Sequence, residues 1–327
     1  MEGKVSEEIV SYLQEKLEIS PQLANKLIDK GYRSLEAIAI SHPLSLEEEI
    51  EIPANQAEKL IFNSREYLNN KIEPRNALEL LEEERERIKI TTGSHDLDSL
   101  LDGGIWVGEI TEFAGSFGTG KTQLCFQLSV TTQLPKELGG AEGKVFYIDS
   151  EKTFSSKRVM EISLAFDLDP MSVLKNILVA KAFDAKNQMD LVKEVANIAK
   201  KENIKLLIID SFATHFRSEF LGKDKLVERQ QKIMFHAAQL SNLAALLDIA
   251  VVVTNQIIAN MDDFSMGGAQ PALGFAWAHR PQQRILLRRY KGTARVARLL
   301  DSPRSAEYEA VFYITRDGIK DRSTPNY

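Results

Sequence analysis

Gly115-Ser116-Phe117-Gly118-Thr119-Gly120-Lys121-Thr122 fits the pattern G-x-x-x-x-G-K-[ST] without a mismatch. The short apolar segment before it, Ile110 to Phe113, reads as a buried strand, and Thr122 to Val130 after it reads as a helix with an apolar face. Strand, glycine loop and helix together point consecutive backbone N–H groups into a cavity at a helix N-terminus, where a polyphosphate is stabilised. In that arrangement Lys121 reaches the outer phosphates and the Thr122 hydroxyl coordinates a magnesium ion. The stretch predicts a nucleoside triphosphate site.

Downstream, apolar runs alternate with helical patterns, which indicates a mostly parallel sheet with crossover helices, an α/β core. Expected strands are Lys144–Ile148, Lys205–Ile209 and Ile249–Thr254. Arg284–Arg288, Arg295–Leu300 and Ala310–Ile314 follow too closely for intervening helices, so the sheet is expected to finish with antiparallel strands. Ligands of such sheets bind at the C-terminal ends of the strands. Three places qualify. Asp210, after the apolar run ending Ile208-Ile209, is placed to hold magnesium through water, although a lone acid there is ordinarily a turn residue or helix cap. Glu151, after Asp149-Ser150, is placed to orient and deprotonate a water in line with the terminal phosphate. Gln256, after Thr254-Asn255, offers an uncharged amide to that phosphate and to the loop behind it.

Composition narrows the class. The 327 residues suffice for two domains and a sizeable core. The one cysteine, Cys125, lies on the expected helix after the phosphate loop, which excludes a disulfide framework. No apolar run approaches the roughly 18 residues of a membrane span, and the acidic N-terminus lacks a signal-peptide pattern. An intracellular protein without a membrane partner is expected. Residues 1–70 carry seven Lys/Arg against thirteen Asp/Glu, so the net charge of −6 lies in this unit and the remainder is neutral. That charge argues against the N-terminal unit as a strong, non-specific phosphate clamp.

The same unit repeats itself. Ile19-Ser20-Pro21-Gln22-Leu23-Ala24-Asn25-Lys26-Leu27-Ile28 returns 33 positions later as Ile52-Pro53-Ala54-Asn55-Gln56-Ala57-Glu58-Lys59-Leu60-Ile61. Each copy reads as a tight turn with proline near a helix start, then an amphipathic helix, with Gly31 closing the first. Two such copies resemble paired helix-hairpin-helix units, which bind DNA backbones. Their hairpins carry Ser20-Pro21 and Pro53-Ala54 where that design uses glycines, so a packing or partner-binding bundle is an equal reading. Between about residues 70 and 90, Ala77, Leu78, Leu80, Leu81 and Ile88 sit among dense charges, as in a charged linker helix.

Together these residues resemble the RecA/RadA recombinase family: archaeal RadA, its eukaryotic counterparts and their paralogues. ITTGSHDLDSLLDGGI (90–105), GKTQLCFQLSV, IDSEKTF, LLIIDS, HFRSEF, ERQQK, TNQ, AWAH and LDSP stand in family order over nearly all of residues 15–320. The resemblance implies a RecA-like ATPase core at 91–327, a small helical domain at 1–70 and a linker or oligomerisation segment at 71–90. It implies ATP and Mg2+ as ligands and a DNA-dependent ATPase of homologous recombination and repair. The expected partners are single- and double-stranded DNA and either further copies of the chain or a related recombinase subunit. The whole loop Gly115 to Thr122 with Gln123 and Asp210 would bind the nucleotide and metal, Glu151 would activate water, and Gln256 would sense the terminal phosphate. Arg158 looks like the adenine-stacking arginine, while His279, Asp301 and Pro303 match residues that meet a neighbouring subunit's nucleotide. Arg217, Phe220, Lys223 and Arg229 fall on the first DNA-binding loop and its exit; residues 257–274 would form the second. Without the family, Arg217, Lys223 and Arg229 read more readily as a solvated face, and Phe220 as loop packing.

There are departures. The family's linker phenylalanine, three residues before an alanine, aligns here on Pro74 ahead of Ala77. Lys152 stands where a glycine follows the catalytic glutamate, and Pro271-Ala272-Leu273-Gly274 replaces paired glycines. Together with Ser155-Ser156-Lys157, these resemble the paralogues that assist filaments, which leaves a loading or capping subunit as an alternative to a strand-exchange recombinase. A ring-forming RecA-core motor and a non-hydrolysing scaffold are the readings from other classes. The second is disfavoured by the complete set Lys121, Glu151 and Asp210.

Overall fold

Runs of consecutive apolar residues form strands buried on both faces of one sheet. The structure, a computed structural model, describes residues 2–68, 74–259 and 269–321. Numbered among themselves, the strands of its central sheet are β1 (Ile110–Gly115), β2 (Lys144–Asp149), β3 (Ile177–Lys181), β4 (Ile204–Asp210), β5 (Ala250–Asn255), β6 (Gln283–Arg289), β7 (Ala294–Asp301), β8 (Glu309–Thr315) and β9 (Gly318–Lys320). Their spatial order is β9-β8-β7-β6-β1-β5-β4-β2-β3. From β6 to β3 all neighbours are parallel; β6 through β9 pair antiparallel, as the short spacings predicted. Alternation within β4 divides the core in two. Leu206 and Ile208 pack with the helix Lys121–Thr131 and the C-terminal strands, whereas Leu207 and Ile209 pack with the helices Ala185–Glu202 and Leu226–Leu247. Each such side chain, fully buried, contributes roughly 1.5–3 kcal/mol.

The expected strands are present, each within about two residues of its expected bounds. β3 was not expected. It is an edge strand whose burial alternates and which ends in Lys181, so it lacks the continuous apolar run that betrays a central strand.

The N-terminal unit is a bundle of five helices, Glu2–Leu17, Pro21–Asp29, Leu35–Ala39, Pro43–Ile50 and Ala54–Tyr67. Its sequence repeat has a packing cause. Ala24 and Leu27 of the first copy and Ala57, Leu60 and Ile61 of the second are buried in one core, while the matched Lys26 and Lys59 face outward. Pro21 occupies the first helical turn, and Gly31 (φ 86°) ends that helix, its N–H donating to Ile28 O and that of Tyr32 to Leu27 O.

This bundle rests on the helix Ala185–Glu202. Lys193, 4% exposed, pairs with Glu49 at 2.7 Å and donates to Lys30 O at 3.2 Å. Asn197 donates to Gly31 O at 2.9 Å, and Asn242 of the neighbouring helix donates to Ile40 O at 3.0 Å. A buried ammonium is tolerable only with such full partnering. The charged linker helix runs from Ala77 to Glu86, opened by a capping box of Asn76 and Glu79, and buries none of its side chains. Pro74 is exposed ahead of it.

Candidate active site

β1 delivers the glycine loop to the C-terminal edge of the sheet. A Cβ on Gly115 would lie 2.6 Å from Thr119 Oγ1 and 2.7 Å from Leu287 O, so backbone from β6 approaches too closely for any side chain. Gly120 has φ 105° and caps the helix Lys121–Thr131, a conformation that favours glycine. Lys121 curls over the loop, donating to Gly115 O at 2.8 Å and Ser116 O at 3.0 Å. Burial holds its ammonium below the usual lysine range, against the opposing pull of Asp210 and Glu151. A desolvated cation above a cradle of backbone groups fits a polyphosphate.

Asp210 closes β4 and is buried. It accepts hydrogen bonds from Tyr147 Oη at 2.9 Å and Thr254 Oγ1 at 2.5 Å. Burial pushes its carboxyl above the usual range, against the hydrogen bonds from Thr254, Thr122 and Tyr147. A buried carboxylate beside the Thr122 hydroxyl fits a hydrated divalent cation, which takes few protein ligands and keeps several waters. Among the described residues no group of three or more His, Cys, Asp or Glu forms a ready-made metal site.

Glu151 follows β2 and is exposed. Its Oε1 accepts from Gln256 Nε2 at 3.3 Å and lies 2.9 Å from Ser211 Oγ and 3.2 Å from Thr214 Oγ1, two hydroxyls 2.6 Å apart that share one donor to it. Gln256, just past β5, in turn accepts at Oε1 from Arg217 Nη1 at 2.9 Å. Lys121, Thr122, Asp210, Glu151 and Gln256 thus converge at the C-terminal ends of β1, β4, β2 and β5. Sequence reasoning missed the supporting donors Tyr147, Ser211, Thr214 and Thr254; Ser211 and Thr254 adjoin the motif residues, which was the available signal. Lys152 adopts φ 60°, the left-handed backbone that a glycine there would take freely.

Arg158 meets Gln123. Its Nε donates to Gln123 Oε1 at 2.8 Å, Nη2 to Thr315 O at 2.6 Å, and Nη1 to Arg316 O. The guanidinium edge is therefore engaged with the turn between β8 and β9. Asp301 and Pro303 are exposed at the opposite end of the sheet from the glycine loop, since Asp301 pairs with Arg284 near the start of β6. Arg304 beside them stacks 3.9 Å over the Trp106 ring and donates to both oxygens of Glu109 at 2.8 and 2.7 Å. His279 is exposed just after the short helix Phe275–Ala278.

The loop cations are unevenly placed. Arg217 is half-buried against Gln256, Lys223 is exposed, and Arg229 is half-buried with its Nε lacking a hydrogen-bond partner. Phe220, unlike these cations, is 8% exposed and packs into the core at the C-terminal end of the helix Ala213–Glu219. Of the expected second loop, 257–274, the described ends pair as a ribbon, Ile257 with Pro271 and Ala259 with Ala269; residues 260–268 lie outside the described residues.

A mostly parallel sheet that ends antiparallel, with a glycine loop, a strand-end aspartate and a glutamate above it, defines a RecA-like P-loop ATPase core. The Rad51 family model matches residues 83–322. DNA repair and recombination protein RadA of Aeropyrum pernix is 42% identical over 303 residues, covering 93% of this chain and 94% of that one. The proteins of the same name from Metallosphaera sedula (41%) and Ignicoccus hospitalis (43%) each cover 93% of both chains. The chain belongs to the RadA/Rad51 family of recombinases, DNA-dependent ATPases of DNA repair and recombination. Among the described residues no helix is long and apolar enough to cross a membrane.

Proposed function

We propose that this chain binds ATP with Mg2+, assembles on single-stranded DNA inside the cell, and uses ATP hydrolysis during strand exchange with a duplex. The observation that carries this reading is the convergence of Lys121, Asp210, Glu151 and Gln256 on one sheet edge, with Gln256 hydrogen-bonded onward to Arg217. Loop amides and Lys121 would hold the phosphates, and Thr122 and Asp210 the metal. The metal, when bound, neutralises charge on the transferred phosphoryl group. Glu151 takes the proton of the attacking water, and Gln256 orients the terminal phosphate. Arg158, engaged along its edge with Gln123 and the β8–β9 turn, keeps a planar face for the adenine. His279, Asp301 and Pro303 would serve the nucleotide of an adjacent copy; the position of Asp301 and Pro303 across the sheet from their own glycine loop supports this. Arg217, Lys223 and Arg229 would contact DNA phosphates. We further propose that residues 1–70 act as an accessory helical domain and 71–90 as the assembly segment.

A second reading, a paralogue that loads or caps a related recombinase, is favoured by one observation: Pro74 is exposed where an aromatic anchor would stand.

Nucleotide-binding and steady-state hydrolysis assays test the site. Lys121→Ala is expected to abolish tight ATP binding, because the phosphate charge loses its cation. Glu151→Gln is expected to keep binding and to lose hydrolysis by at least about a hundredfold, the typical contribution of a general base. Equal hydrolysis by wild type and Glu151→Gln would remove Glu151 from this role.

A further inference from the structure

An arginine can only donate hydrogen bonds, whereas a glutamine side chain carries an acceptor at one end and a donor at the other. The 2.9 Å contact from Arg217 Nη1 therefore fixes the Gln256 amide with Oε1 toward Arg217, which leaves Nε2 directed at Glu151 Oε1, 3.3 Å away. Glu151 Oε1 also accepts from the Ser211–Thr214 pair, whose hydroxyls lie 2.6 Å apart and so have one proton between them for the carboxylate, and a carboxylate oxygen has about two lone pairs. One hydroxyl proton and the Gln256 amide thus fill both lone pairs of Oε1. Arg217 itself lies only half-buried, within reach of solvent anions.

We propose that Arg217 is a positioning residue of the ATP site: it holds Gln256 against Glu151, and a DNA phosphate that draws Arg217 away releases both for hydrolysis. Without DNA the chain Arg217–Gln256–Glu151 is closed and Glu151 Oε1 is occupied. A phosphodiester competes for the same guanidinium with a charge-assisted hydrogen bond, stronger than the neutral amide contact it replaces. Gln256 then loses the donor that fixed its orientation and can turn to the terminal phosphate. No bond is made or broken in this step. Only hydrogen-bond partners change, so one side chain couples the two sites without a long conformational path. The inference rests on the proposed roles of Glu151 and Gln256 and adds the device that regulates them.

The test is steady-state ATP hydrolysis by the full-length protein with Mg2+, with and without oligo(dT). Arg217→Ala is expected to raise the DNA-free kcat by about threefold to tenfold, the rate equivalent of roughly one hydrogen bond. Its stimulation by oligo(dT) should collapse toward one, with the KM for ATP unchanged. Arg217→Lys, which keeps a donor for Gln256, should restore a low DNA-free kcat, a rescue that a merely structural role would not show. A wild type that is stimulated by oligo(dT) beside an Arg217→Ala variant with an unchanged or lower DNA-free kcat would overturn this inference and leave the ATPase reading standing. Absence of hydrolysis in wild type with both Mg2+ and oligo(dT) would overturn the two together.

Discussion

Arg304 illustrates what a single residue contributes outside the motifs. It stacks on Trp106 and forks onto Glu109, a half-buried arrangement in which planarity and two parallel N–H groups are both used. Arg304 N also donates to Ser302 Oγ, so this anchor fixes the turn that carries Asp301 and Pro303. Lysine cannot reproduce the fork or the stack. Arg304→Lys should lower the unfolding free energy by about 2 kcal/mol in urea titrations, near the value of a hydrogen bond to a charged group. A change below about 0.5 kcal/mol would show that the contact is dispensable. The glycine loop was legible because its chemistry is set by eight consecutive residues. Arg304 was not, because Trp106 and Glu109 lie some two hundred positions away and no local pattern links them.

At the scale of elements, a buried polar chain ties the strand end beside Glu151 to two helices. Ser150 Oγ donates to Gln188 Oε1 at 2.9 Å, which turns Gln188 Nε2 toward His236 Nε2 at 3.3 Å, and His236 Nδ1 meets Gln239 Oε1 at 3.1 Å. Both ring nitrogens are satisfied only in the neutral imidazole, with Nδ1 donating and Nε2 accepting; a proton on Nε2 would face another donor. The ring is stacked on Phe212 at 5.0 Å and is fully buried. Burial pushes its pKa down to about 4, with the Gln239 hydrogen bond opposing. The unfolded chain, titrating near 6.5, binds more protons between these values. Stability from this residue is therefore complete above pH 6.5 and is lost as pH falls through 4. The loss is bounded at about 3 kcal/mol. Denaturation at pH 7 and pH 4.5 should show a smaller drop for His236→Gln than for wild type; equal drops would mean that His236 titrates normally. The alternation of apolar runs and helical patterns implied a helix before β5 but not this chain, since an isolated histidine looks the same on any buried face. β3 went unread for the related reason that an edge strand is only half apolar.

At the scale of the whole molecule, the account turns on assembly. The antiparallel finish of the sheet and the order of the motifs were legible because spacing alone excludes helices between β6, β7 and β8. How copies associate was not, because it depends on surfaces that no single chain covers. Pro74, Leu78 and Leu81 precede the core and are exposed, and residues 69–73 lie outside those described. Replacing an aromatic anchor typically costs about 2–4 kcal/mol at an interface. Pro74→Phe should therefore lengthen the assemblies, by less if proline's fixed backbone also sets the linker path. Electron-microscope imaging of the purified protein with ATP, Mg2+ and single-stranded DNA tests the central claim most directly. The account predicts helical assemblies on DNA that are lost in Lys121→Ala and are longer in Pro74→Phe than in wild type. Closed rings that form without DNA, or assemblies indifferent to nucleotide, would contradict it.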